Sequence, residues 1–204
     1  MTGSLSEEKR DALQELVNLG MGSAGAALAT LLEDFVELAV PRILSVGPDD
    51  LSRMVEMEPW MSRELQGVRQ TFFGDLSGES VMLFDEVGYG QLAGRLGYRA
   101  PLSPSAQEEI VLDLANIVIG ACVNGITGPL EEVVSFARPA LMDERTKIAR
   151  LMATDLVTWK QALLFSIEFR LRSCRFESRV LVLLSESSGE RIDQALTRFL
   201  GGLG

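Results

Sequence analysis

The residues with the clearest capacity for chemistry are two asparagines, Asn18 and Asn116, each standing three residues after a carboxylate, Glu15 or Asp113. Each set extends in both directions. Asp11 and Gly22 flank the first, Glu109 and Gly120 the second, and after twenty-two residues more a proline follows each asparagine, Pro41 or Pro139. Every member of the second set lies 98 residues after its counterpart. The chain contains no histidine, so the commonest general base and the commonest metal ligand are both missing. Chemistry here falls to carboxylates, to amides or to a cofactor that a partner carries.

Both sets need helices to bring them together. At roughly 100° per residue, Leu13, Leu16, Val17, Gly20, Ala24, Ala27, Leu28 and Leu31 form one apolar stripe, the expected core face. Asp11, Glu15, Asn18, Gly22 and Gly25 fall opposite. A solvated face usually carries Lys, Glu, Gln and Ala, and each glycine costs a helix about 1 kcal/mol against Ala. The polar stripe therefore reads as a smooth surface that another backbone approaches. A second helix over 105–127 repeats the plan, with Ile110, Leu114, Ile117, Val118, Ala121 and Gly125 as its core stripe and Glu109, Asp113, Asn116 and Gly120 opposite.

The remaining chain supplies a sheet. Ser6, or Ser4, caps the first helix, with Glu7 and Glu8 in its first turn. A strand over 36–47 contains Pro41, which marks an edge or a bulge because it cannot donate to a ladder. A short helix begins at Pro48, strands over 66–73 and 80–87 make a hairpin around the turn 74–78, and a helix covers 88–98. Punctuation at 99–105 links the halves, with Ser105 as the next cap. Then come a strand over 132–141 with Pro139, a polar connection at 143–153, strands over 161–172 and 177–185, and a closing helix over 188–200. The expected fold is one α+β domain, a pseudo-two-fold tandem duplication of repeats at about 5–98 and 103–201, with an antiparallel β-sheet and two long motif-bearing helices.

Composition narrows the classes. Of 204 residues, 47% are hydrophobic and 24% charged, as in a globular protein rather than a disordered one. A net charge of -10 repels phosphate backbones, which argues against nucleic acid as a partner. No apolar run approaches the 18 or so residues of a membrane span; the nearest candidate, 110–127, is interrupted by Asp113, Asn116 and Asn124. The first residues lack the basic and apolar regions of a signal peptide. Cys122 and Cys174 form no CxxC, so neither a disulfide framework nor a zinc site is indicated. A cytoplasmic setting is expected. Trp60 and Trp159 read as packing or rim groups rather than ligand platforms, and the acids Glu33, Asp34, Glu37, Asp49 and Asp50 as solvated rather than metal-binding.

The spacing of Asp11, Glu15, Asn18 and Pro41 resembles the active-site signature of the CheC/CheX/FliY family of chemotaxis phosphatases: Asp or Ser, three residues, Glu, two residues, Asn, twenty-two residues, Pro. Glu109, Asp113, Asn116 and Pro139 keep its Asn and Pro, with Glu for Asp or Ser and Asp for Glu. Two copies make the chain look like CheC rather than single-motif CheX, and the lack of an extra C-terminal flagellar-switch domain separates it from FliY.

The resemblance implies a phosphatase that hydrolyses the aspartyl phosphate of a CheY-like response regulator, with no cofactor of its own and with Mg2+ supplied by the regulator. It implies that Asn18 and Asn116 orient the attacking water. Glu15 would meet the regulator's active-site lysine, and Asp113 would do so in the second site with a side chain one methylene shorter. On the sequence alone the second site ranks below the first. The alternative is a non-catalytic CheC-like module that binds a phosphorylated regulator or a CheD-like deamidase.

Overall fold

Ser6 and Ser103 start the two long helices in the same way. Each hydroxyl oxygen accepts from the backbone three residues on, Lys9 N at 3.4 Å and Ala106 N at 3.2 Å, and satisfies a donor that the first turn leaves free. The second helix thus begins at Ser103 and not at Ser105, because Pro104 suits the first helical position, where no N–H is needed. The structure, a computed structural model, describes residues 5–46, 65–84, 89–98, 101–142, 162–173 and 176–202.

In chain order the elements are α1 (Glu7–Leu32), β1 (Val36–Leu38), β2 (Arg42–Val46), β3 (Gln66–Gly74), β4 (Gly78–Phe84), α2 (Tyr89–Arg95), α3 (Pro104–Thr127), a 3-10 turn (Gly128–Leu130), β5 (Val134–Phe136), β6 (Ala140–Leu141), β7 (Ala162–Leu171), β8 (Glu177–Leu184) and α4 (Glu186–Gly201). The expected helix at Pro48, the connection at 143–153, Asp49, Asp50, Trp60, Trp159 and Cys174 lie outside the described residues. Helix α4 begins at Glu186, two residues earlier than expected, because Ser185 caps it by accepting from Ser188 N.

All strands pair antiparallel in one sheet ordered β1-β7-β8-β4-β3-β5, with β2 also on β7 and β6 also on β3. Each hairpin is therefore flanked by strands from the other half of the chain. The central β4/β8 ladder pairs Met82 with Val180, two residues 98 apart, and the pairs Ser80↔Val182 and Phe84↔Ser178 exchange under the same offset. The expected continuous strands 36–47 and 132–141 are each broken in two. Leu38↔Phe169 is followed by Arg42↔Ser166, and Phe72↔Phe136 by Arg69↔Ala140, so four residues face three in both places. These are bulges, and Pro41 and Pro139 sit in them, where no ladder donor is required.

α1 packs on α3, and both cover the sheet. The helices meet at Gly20 and Gly125: a Cβ on Gly20 would stand 2.6 Å from Cys122 O, and one on Gly125 would stand 2.5 Å from Gly20 Cα. Most of the expected core stripe of α1 is buried, but Ala27 and Leu31 are half-buried and Leu32 is buried instead. Gly25 does not belong to the exposed stripe, since Leu38 of β1 lies over it. On α3 the stripe is wider than expected. Val111, Ala115, Ile119, Cys122 and Val123 are buried as well, because this helix packs on both α1 and the sheet. Burial pushes the Cys122 thiol well above its ordinary range. Ile117, expected in the core, is 36% exposed.

Both α1 and α3 contain 18-residue windows long and apolar enough to cross a membrane by length and composition, contrary to expectation, with mean hydropathies of 1.3 and 1.8. In this fold their apolar faces form the core.

Each helix leads into its split strand past an anchored acid. Glu132 is buried between Arg191 Nε and Arg198 Nη2, both at 2.6 Å. Its counterpart Asp34, expected to be solvated, accepts from the Ser173 hydroxyl and from Phe35 N, with Arg95 at 3.8 Å. The Ser173 hydrogen bond, chiefly, holds the Asp34 carboxyl below its ordinary range.

Candidate functional site

The polar stripes stay on the open side of the helices. Asp11, Glu15 and Gly22 are exposed and Asn18 is half-buried; Glu109, Asp113 and Asn116 are exposed and Gly120 is half-buried. Each carboxylate lies one turn before its asparagine. Neither Glu15 nor Asp113 has a hydrogen bond or ion pair among the described residues. A Cβ on Gly22 or Gly120 would meet nothing within 4 Å, so nothing in these parts of the chain demands glycine at either place.

The asparagines differ in what holds them. Gln14, one turn earlier on α1, points Nε2 at Asn18 Oδ1 from 3.5 Å, the long limit of a hydrogen bond, and also donates to Pro41 O at 3.3 Å. Asn116 is held from the sheet below. Gln70 of β3 donates Nε2 to Asn116 Oδ1 at 2.8 Å and to Ala137 O at 3.0 Å. In both sites a glutamine thus joins the asparagine to the backbone of the proline-bearing bulge. Sequence reasoning missed both glutamines. Gln14 was legible as a polar neighbour four residues before Asn18; Gln70 was legible as the one amide between Val68 and Phe72 on an inward-facing strand edge.

The rims differ too. Leu19 (49% exposed) and Ile117 (36%) follow the two asparagines as apolar neighbours. Beside the bulges stand Val40, 83% exposed, and Arg138, which is exposed with no partner among the described residues.

A CheC-like family model matches residues 8–45, which contain Asp11, Glu15, Asn18 and Pro41. Over that segment the chain is similar to CheC-like proteins. Thermotoga maritima FliY shares its fold at a TM-score of 0.67 and 16% identity, covering 97% of this chain and 100% of that one. CheX in a CheX-CheY-BeF3-Mg2+ complex from Borrelia burgdorferi matches at a TM-score of 0.54 and 16% identity, over 83% of this chain and 97% of that one. FliM in a FliM-SpeE complex from H. pylori matches at a TM-score of 0.63 and 11% identity, over 95% and 96%. At these identities the solved structures show the α+β fold, and the family match covers the segment that contains the first motif.

Chemically, the two stripes offer an amide with spare donor and acceptor capacity beside a carboxylate that is unpaired among the described residues, on a surface with no side chain at the adjacent glycine. Such a surface can orient a water against a bound group and pair with a cation beside it.

Proposed function

We propose that the CheC-like chain is a phosphatase for the aspartyl phosphate of a CheY-like response regulator, acting in the cytoplasm in chemotaxis or a related two-component pathway. One observation carries the reading: Glu15 and Asn18, inside the matched family segment, lie on the open face of α1, and the carboxylate has no hydrogen bond or ion pair among the described residues. The fold shared with a CheX seen in complex with CheY supports a regulator as the occupant of that face.

An acyl phosphate is already activated, so the phosphatase has to place water in line with phosphorus and keep it there. Asn18 Oδ1 accepts a hydrogen bond from that water and holds the water's lone pair toward the phosphoryl group; Asn116 does the same in the second site. Glu15 and Asp113 pair with the regulator's active-site lysine and set the docking angle. The regulator brings its own Mg2+, whose charge neutralises the transferring group. The two sites follow from reading 5–98 and 103–201 as repeats, which the self-consistent β4/β8 register supports.

The test is the decay of phosphate on a cognate CheY-like regulator with and without the protein. Acceleration by wild type that disappears in the Asn18→Ala, Asn116→Ala double variant is the expected result. The second reading is a module that binds the phosphorylated regulator or a CheD-like deamidase without turnover, favoured by the shared fold with FliM seen bound to SpeE. Phosphorylation-dependent binding with no acceleration would replace the first reading by the second.

A further inference from the structure

We propose that Gln70 is the positioning residue of the second site, holding Asn116 ready for water from the sheet beneath it, so that the second site and not the first is the better organised for turnover. This rests on the phosphatase reading above.

Gln70 is 1% exposed and shares its face of β3 with the core residues Val68 and Phe72. An amide at such a place is costly to bury unless its polar atoms are matched, and Gln70 is matched only in part. Its Nε2 has two acceptors, whereas its Oε1 has no partner among the described residues. Packing gives no reason for it. The corresponding place under α1 follows from two equivalent backbone bonds, Ala39 N to Glu168 O and Ala137 N to Thr71 O. These set Ile167 where Gln70 stands, and Ile167 is fully buried. The first half fills the position with hydrocarbon; the second fills it with an amide aimed at Asn116.

The direction of the bond matters. Ala137 O and Asn116 Oδ1 are both acceptors, so the nitrogen of Gln70 must face them. Asn116 Oδ1 is thereby turned inward on one lone pair, leaving its second lone pair and both Nδ2 hydrogens for water and phosphoryl oxygen. Asn18 has only the 3.5 Å approach of Gln14, which it shares with Pro41 O. Its rotamer must be set when the regulator docks.

Gln70→Leu and the longer Gln70→Met remove the bond and imitate Ile167. Each is compared in two backgrounds, Asn18→Ala, where only the second site is left, and Asn116→Ala, where only the first is left. The expected result is a fall in kcat of roughly tenfold with KM within about twofold in the first background, and a change under about twofold in the second. Equal losses in both backgrounds, or none in either, would overturn the proposal. Should wild type accelerate nothing, the phosphatase reading fails, and the side-chain amides then judge Gln70 separately. By 15N relaxation, Asn116 Nδ2 is expected to be more ordered than Asn18 Nδ2 in wild type, and to lose that order in Gln70→Leu. Equal mobility of the two amides in wild type would sink the positioning role without reference to activity.

Discussion

Asn18 and Asn116 sit at matching points on two helices that start with the same serine cap; α1 ends at the left-handed Glu33, and the 3-10 turn that follows α3 ends at the left-handed Glu131. Their carboxylates rank the sites one way and their supports rank them the other. The first has the longer Glu15 but an asparagine tethered loosely to its own helix. The second has the shorter Asp113 but an asparagine fixed by a buried glutamine from the opposite half. The comparison teaches that a motif read along one helix reports the groups on its open face, whereas what holds them from below can come from a strand remote in sequence.

The comparison can be broken or sharpened by substitution. The largest effect is expected from removing both asparagines, which should cut accelerated decay by on the order of a hundredfold, measured as phosphate loss from the regulator. Retained acceleration would remove both sites at once. Next come the carboxylates. Glu15→Ala should raise KM for the phosphorylated regulator by roughly tenfold with a smaller change in kcat, whereas Asp113→Glu should lower KM at the second site, since it restores the missing methylene.

Bulk at the open glycines is expected to act on docking alone. Gly22→Leu or Gly120→Leu should raise KM several-fold, by roughly 1 kcal/mol of binding, and full activity in Gly22→Leu would end the smooth-surface account. Gly22→Ala should instead stabilise the protein by up to about 1 kcal/mol, seen as a higher Tm, because helix propensity improves and nothing stands within 4 Å of the new Cβ. The smallest effect concerns the rims. Binding at the second site should weaken with salt more than at the first, and Arg138→Val should reduce that slope, by less than about threefold in KM at low salt, since exposed charges are screened.

Much of this was legible from spacing. The cap at Ser6, the two helices, both hairpins and the special place of the two prolines follow from local chemistry that tertiary packing did not override. The misplaced residues share one cause. The spacing assigns Ile117 to a single buried stripe, but α3 is wedged between α1 and the sheet, and a helix buried over so wide an arc no longer shows one apolar side. Periodicity places Gly25 on the exposed face because nothing in α1 announces that Leu38 folds back over it. Gln70 lies 46 residues from Asn116, and only the sheet order brings β3 under α3.

The most direct test compares Asn18→Ala with Asn116→Ala in single-turnover decay of the same phosphorylated regulator. The account predicts acceleration by wild type, with the larger loss in Asn116→Ala, because the better-held amide contributes more to kcat. Loss confined to Asn18→Ala, with Asn116→Ala as fast as wild type, would contradict it and leave the second copy as scaffold.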